Sequence, residues 1–284
     1  MRIAIVTDST SDIEPQCADE LGVHVVPLSV RWGGRSYRDY VELSRADFYA
    51  ALARETALPA TSQPAPALFE QAFAHALQRA ERVMCITISS KLSGTIVAAR
   101  SAAAGFEAGR IDIVDSLSVA GGLQLQVRCA LASARGGASL EEVRAAVAAE
   151  RSRQHVFAAL PDLSHVLRTG RIGRARAAIG TLMKIVPVLS LEDGEVVAAG
   201  RVRTFARALE SIVEFTVDAL RGAPTPRLIV MHTDAPEPAQ RVSQRLENVF
   251  GGSTRDAIEI QEAGPVVAAH GGRGAVGIFS SQGQ

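Results

Sequence analysis

The sequence predicts an α/β protein of two domains, an N-terminal doubly wound, mainly parallel sheet and a smaller C-terminal two-layer α/β domain. Three observations carry this. Short apolar runs alternate with helix-spaced segments through the first half, which is the signature of parallel strands joined by helices. The second half instead holds a hairpin pattern around an Asp-Gly pair, followed by two long helical patterns. A chain of 284 residues, 47 % of them hydrophobic, is long enough for two medium cores without disulfide or metal staples. We place the boundary after the Glu- and Arg-rich helix, giving domains 1–153 and 154–284.

Taken in order, Ile3-Ala4-Ile5-Val6 reads as a strand buried on both faces, and Val23 to Val30 as a second one. Trp32-Gly33-Gly34-Arg35 reads as a hairpin turn, and Ser44-Arg45-Ala46-Asp47 as a capping box opening a helix to about Arg54. Leu58 to Pro64 is expected to be a stiff loop, with Pro64 and Pro66 starting a helix through Phe69, Phe73 and Leu77. Val83 to Ile88 is a strand, Ser89 to Thr95 a polar loop before a helix, and Ile111 to Val114 a strand before the helix around Val127 to Ala134. Ser139-Leu140-Glu141-Glu142 caps one more helix. In the second half His155 to Leu160 is a strand and Pro161-Asp162 opens a short helix. Ile185 to Leu191 and Val196 to Ala198 form the hairpin. Helices cover Ala206 to Leu220 and Ala239 to Phe250, strands lie near Leu228 to Met231 and Ile258 to Ile260, and the glycine-rich loop at His270 leads to a final strand.

The 30 basic and 30 acidic side chains cancel, which argues against a nucleic-acid binder. Lys91 and Lys184 are the only lysines, so the basic residues are almost all arginine. Cys17, Cys85 and Cys129 have neither disulfide-framework nor zinc spacing. No apolar run is long enough to suggest a membrane span, and Asp8 follows the first apolar run at once, so we expect no secretory leader and a cytoplasmic protein.

In an open α/β sheet, ligands sit beyond the carboxyl ends of the strands. Three hydroxyl-rich clusters are expected there: Asp8 to Ser11, Thr61-Ser62-Gln63 and Ser89 to Thr95. Hydroxyls beside helix N-termini can hold an anion without a cation, although the same residues serve as ordinary helix caps. Gly94 would let a ligand approach the backbone. Asp8 with Asp12 could suggest a metal or an aspartyl nucleophile, yet more often an aspartate there fixes a loop. His270 could pair with Ser93 as base and nucleophile in an esterase or thioesterase, or be a plain loop histidine. Arg168 to Arg176, with Arg201, Arg203 and Arg207, could bind phosphate or an acidic surface, or be a solvated face. Neither a phosphate-binding P-loop nor a nucleophile elbow is present.

Six segments in order resemble the DegV family of bacterial lipid-binding proteins: Ile5 to Ser9, Thr61-Ser62-Gln63-Pro64, Ser90 to Thr95, Val114-Asp115-Ser116, Leu167 to Ile172, and His270-Gly271 through Gly274 to Gly277. The resemblance implies a two-domain protein holding one long-chain fatty acid in a tunnel between its domains, with no cofactor, no metal and no catalysis of its own. It implies that a separate ATP-binding kinase subunit phosphorylates the carboxylate, in the service of phospholipid synthesis. Carried over, Thr61, Ser62 and Ser93 would hold the carboxylate, Gly94 and Thr95 would lend backbone groups, and His270 would lie nearby. Arg171 and Arg203 would face the kinase or the transferred phosphate, and Ile96, Ile172, Leu182 and Ile278 are candidates for the tunnel wall.

Overall fold

The computed structural model describes residues 2–54, 57–179, 185–252 and 258–283. The chain separates into two compact units, Met1–Ser152 with Gly264–Val266, and Arg153–Ala263 with Val267–Gln284. The short segment Gly264–Val266 thus belongs to the first unit although it lies far along the sequence, inside the stretch assigned to the second domain.

The first unit is built on β1 (Ile3–Asp8), β2 (Val23–Val26), β6 (Arg82–Thr87) and β7 (Ile111–Asp115), a four-stranded parallel sheet in the order β2-β1-β6-β7. Successive residues of its strands face opposite layers, as the two-residue period requires. Ile5 and Met84 pack under α1 (Pro15–Leu21), α5 (Gly121–Arg135) and α6 (Leu140–Ser152), alongside Leu123, Val127 and Val143. Val6 and Cys85 face α3 (Pro66–Ala76) and α4 (Thr95–Ala103), against Phe69, Phe73 and Ala102. Both faces are therefore covered, which is the doubly wound arrangement the apolar runs predict.

Two local readings change. The run Val23 to Val30 is two strands in two sheets, β2 and then β3 (Ser29–Trp32), because Pro27 offers no ladder N–H and the Leu28 amide turns aside to donate to Ser9 Oγ at 3.0 Å. The stretch expected as a stiff loop contains β5 (Ala60–Ser62), which pairs antiparallel with β3 so that Thr61 lies opposite Val30. With β4 (Arg35–Arg38) these form a small sheet, and Gly33 and Gly34 supply the two positive φ angles, 55° and 77°, that the β3–β4 turn requires. Ser44 caps α2 (Arg45–Leu52) by accepting the Asp47 amide, as its spacing predicts.

The second unit carries β8 (Gln154–Ala159), α7 (Ser164–Arg168), α8 (Ala175–Ile179), the antiparallel hairpin β9 (Val186–Glu192) and β10 (Glu195–Val202), α9 (Phe205–Ala219), β11 (Arg227–His232), α10 (Pro236–Phe250), β12 (Glu259–Glu262), α11 (Pro265–Gly271, which begins in the first unit) and β13 (Val276–Ser281). Its sheet runs β10-β9-β8-β13-β11-β12 and is antiparallel except for β11 with β12. Ala159, Val188 and Ile278 face α9 and α10, packed with Ile212, Val242 and Leu246. Ile278 is packed within this core. Leu160 and Leu189 face the opposite side, against Val166, Ile172 and Ala175. Leu182 lies outside the described residues.

Candidate functional site

The strand order of the first unit reverses between β1 and β6, so the loops leaving their carboxyl ends part there and open a crevice. Asp8 closes the base of this crevice. One carboxylate oxygen accepts the Thr10 amide at 3.0 Å and its hydroxyl at 2.5 Å, and the other accepts the Ile88 amide at 2.8 Å. Burial pushes its pKa up to about 6 against these hydrogen bonds. Asp8 is therefore a clip between the loops after β1 and β6, the loop-fixing reading of that residue.

The loop after β6 turns on Ser89, whose carbonyl accepts the amides of Leu92 and Ser93, each at 3.0 Å. This delivers Ser93 to the start of α4. Its Oγ lies 2.8 Å from Thr95 Oγ1 and accepts the Thr95 amide at 3.3 Å. Gly94 is the N-cap of α4, and a β-carbon there would overlap Gln63 Oε1. The Thr61-Ser62-Gln63 and Ser93-Gly94-Thr95 segments, thirty residues apart in sequence, are thus brought side by side. The first N–H groups of α4 have no intrahelical acceptor, and the helix dipole favours negative charge beside them. Hydroxyls, amides and one glutamine at a helix start make a cradle suited to a carboxylate.

The sequence reading paired Asp12 with Asp8 and missed Asp39; both Asp12 and Asp39 are buried acids beside this crevice. Asp12, at a φ of 54°, accepts the Gly264 amide at 2.9 Å and the Tyr40 hydroxyl at 3.1 Å. Asp39 faces the Ser9 hydroxyl and the Val266 amide. Burial raises Asp12 to about 7 and Asp39 to about 8; the Asp8 charge pushes Asp12 up further, and the Asp12 and Asp8 charges push Asp39 up. Tyr40 holds a φ of 59°, rare for a bulky residue, and its hydroxyl also accepts the Arg45 guanidinium at 3.1 Å. Asp12 thus holds the backbone just before α11, and no group of three or more His, Cys, Asp or Glu among the described residues could hold a metal. Nothing local in the sequence marks the pairing, because its partners are distant along the chain.

In the second unit His270 is not in a loop. It lies in the last turn of α11, because the helix runs on to Gly271 before Gly272 and Gly274, at φ 71° and 86°, break it. Burial first, then the neighbouring Arg171 and His165, lower its pKa to about 4, so it is neutral near pH 7. His165, also missed, is held by its Nδ1 at 3.1 Å from the Ala269 carbonyl. Arg171 is exposed and bonds back to the Thr169 carbonyl, in the glycine turn after α7. Arg203 is exposed in the turn between β10 and α9.

A doubly wound unit with hydroxyl-rich loops beyond its strands and a second α/β unit carrying a buried histidine and exposed arginines define a class of two-domain α/β proteins. A family model named DegV, described as an uncharacterised protein of the DegV family, matches residues 2–282, and the chain belongs to that family. A DegV domain-containing protein of Deinococcus radiodurans is 38 % identical over 290 residues, covering 98 % of this chain and 98 % of its own. One from Halalkalibacterium halodurans is 35 % identical, covering 98 % and 97 %. Among solved structures, a DegV family protein of Thermus thermophilus described by its fatty acid binding superposes with a TM-score of 0.91 at 35 % identity, covering 99 % of both chains. DegV of Bacillus subtilis, a fatty acid binding protein, superposes with a TM-score of 0.89 at 27 % identity, again over 99 % of both chains.

No helix among the described residues is long and apolar enough to cross a membrane.

Proposed function

We propose that this protein binds a long-chain fatty acid and presents its carboxylate to a separate kinase subunit. The observation that carries this is the pairing of the Thr61–Gln63 and Ser93–Thr95 segments through Gly94, in a chain whose relatives of known structure are fatty acid binders. In this reading Thr61, Ser62 and Ser93 donate hydroxyl hydrogen bonds to the carboxylate, and Gly94 and Thr95 supply backbone groups. Neutral His270 serves as a further hydrogen-bonding group. The acyl chain is held by apolar burial, about 0.8 kcal/mol per CH₂.

A carboxylate held by hydroxyls and not by a buried salt bridge keeps its nucleophilicity. One of its oxygens can then attack the γ-phosphorus of ATP on the kinase, forming an acyl phosphate and releasing ADP. Arg171 and Arg203, exposed on the second unit, face that kinase or the phosphate in transit. The chain itself is a non-catalytic carrier, working in the cytoplasm and feeding phospholipid synthesis, and it takes no cofactor or metal.

Mass spectrometry of an organic extract of the purified protein tests the first step. A stoichiometric long-chain fatty acid is expected, and a protein that neither carries nor takes up one would end the proposal. We do not favour the Ser93/His270 hydrolase reading, because relatives of solved structure are described as fatty acid binders. Turnover of a chromogenic ester, lost in Ser93→Ala, would restore it.

A further inference from the structure

At the opposite end of the parallel sheet from the hydroxyl loops, the first unit has a cavity of about 390 Å³ that the proposed function does not use. Arg2, Ile3 and Ala4 line it at the start of β1, Val23 and His24 at the start of β2, Ala18, Asp19 and Gly22 from α1, and His75, Ala76, Arg79 and Ala80 from the end of α3. Six-residue β1 separates this end from Asp8 by roughly 20 Å at about 3.3 Å per residue. The volume lies in the range of small-molecule sites.

The charges in this cavity are unbalanced. Two arginines and two histidines meet one carboxylate, Asp19. Neither the Arg2 nor the Arg79 guanidinium makes a hydrogen bond or ion pair with another described residue. His24 and His75 meet edge to face, with ring centroids 5.1 Å apart. A bland account would have these cations serve the carbonyl ends of α1 and α3. Those carbonyls are already occupied: the Gly22 amide donates to Ala18 and Asp19, Gln78 to His75, and Arg79 to Ala76. The side chains are not needed as caps.

We propose that this cavity binds a phosphate group, as inorganic phosphate or as a soluble phosphate monoester, with Arg2 and Arg79 as its cations and the His24 and His75 rings as further hydrogen-bonding groups. The guanidinium fork suits a tetrahedral oxyanion. His24 ties binding to pH. His24 is held below its ordinary pKa by burial, then by His75 and Arg79 of the α3 end, with Asp19 of α1 opposing them and Arg2 completing its charged surroundings. A bound dianion offsets the neighbouring positive charge, so His24 takes up a proton as it binds. Affinity then falls as pH rises through the histidine range.

The full-length protein is titrated calorimetrically, in a buffer free of oxyanions, with inorganic phosphate, with glucose 6-phosphate and with sulfate. Saturable binding of either phosphate probe is expected, weakened at least tenfold in Arg2→Ala/Arg79→Ala. Tighter binding of glucose 6-phosphate than of inorganic phosphate identifies a monoester site, and the reverse a site for the free ion. Sulfate keeps its double charge from pH 6 to 8, so a severalfold loss of sulfate affinity over that range, abolished in His24→Gln, reports His24. These side chains are exposed or partly exposed, and fatty acid content provides an independent check that the variants are folded. Absence of saturable binding of both phosphate probes at millimolar concentration, or binding unchanged in the arginine double variant, overturns the proposal.

Discussion

The Asp12 carboxylate accepts a hydrogen bond from the Gly264 amide at 2.9 Å, joining residues 252 apart in the chain. Gly264 immediately precedes α11, so a buried acid of the first loop anchors the start of the helix that ends at His270. A negative charge at a helix N-terminus is favourable, yet full burial makes that charge costly, and burial is the larger effect on Asp12.

Stability should therefore depend on pH through Asp12. Its folded pKa of about 7 lies above the ordinary 3.8, so the folded chain keeps a proton that the unfolded chain has released. The stability due to that proton is complete below the ordinary value and is lost as pH rises through about 7. In Asp12→Asn the side chain cannot ionise but can still accept the Gly264 amide. Denaturant unfolding of both proteins from pH 5 to pH 8 should show the variant gaining on the wild type, by at most about 1.4 kcal/mol per pH unit for one proton. A difference that stays constant with pH would assign the titration elsewhere.

The hydroxyl cradle predicts a graded loss of ligand. Ser93→Ala removes a hydrogen bond to a charged group, worth roughly 1.5–3 kcal/mol, and should weaken fatty acid binding by about tenfold to a hundredfold. Thr61→Ala should act in the same direction, and the double variant should bind less than either. Fluorescent fatty acid displacement measures this, and an unchanged affinity in the double variant would place the carboxylate somewhere else.

Gly94→Ala should impair binding with little cost to the fold. Gly94 has an ordinary φ of −76°, so no strain arises from the backbone. The new methyl meets only the flexible end of Gln63, which can swing away. Removing that obstacle as well, in Gln63→Ala/Gly94→Ala, should recover part of the affinity. A double variant no better than the sum of its parts would show that the two segments are energetically independent.

His270, with its pKa lowered to about 4, should stay neutral through the physiological range. Fatty acid affinity measured between pH 5.5 and 8 should then show no inflection that disappears in His270→Gln. An inflection near pH 6.5 lost in that variant would mean that the ring is charged when ligand binds.

Arg171→Ala and Arg203→Ala should leave lipid content intact and slow acyl-phosphate formation when a cognate kinase is supplied. Both guanidiniums are exposed, where charges act mainly on partner encounter and on transferred phosphate. Loss of lipid instead would assign the arginines to the carboxylate itself.

The sequence by itself determined the features that are local in the chain. Short continuous apolar runs specified β1, β6 and β7, capping residues specified the start of α2, and the Asp193-Gly194 pair specified the hairpin of β9 and β10, because each depends on neighbours a few residues away. The motifs holding Thr61, Ser93, Gly94 and His270 were legible for the same reason. Only the tertiary structure decided that Thr61 sits on a strand, since a three-residue strand exists only through its ladder partner β3. The folded structure alone placed His270 in a helix end, brought Gln63 against Gly94, tied Asp12 to Gly264 and buried Asp39 beside Asp12. These are contacts between segments far apart in sequence, and burial sets their energies. Burial is a property of the folded surroundings and cannot be read from the residue or its neighbours in the chain.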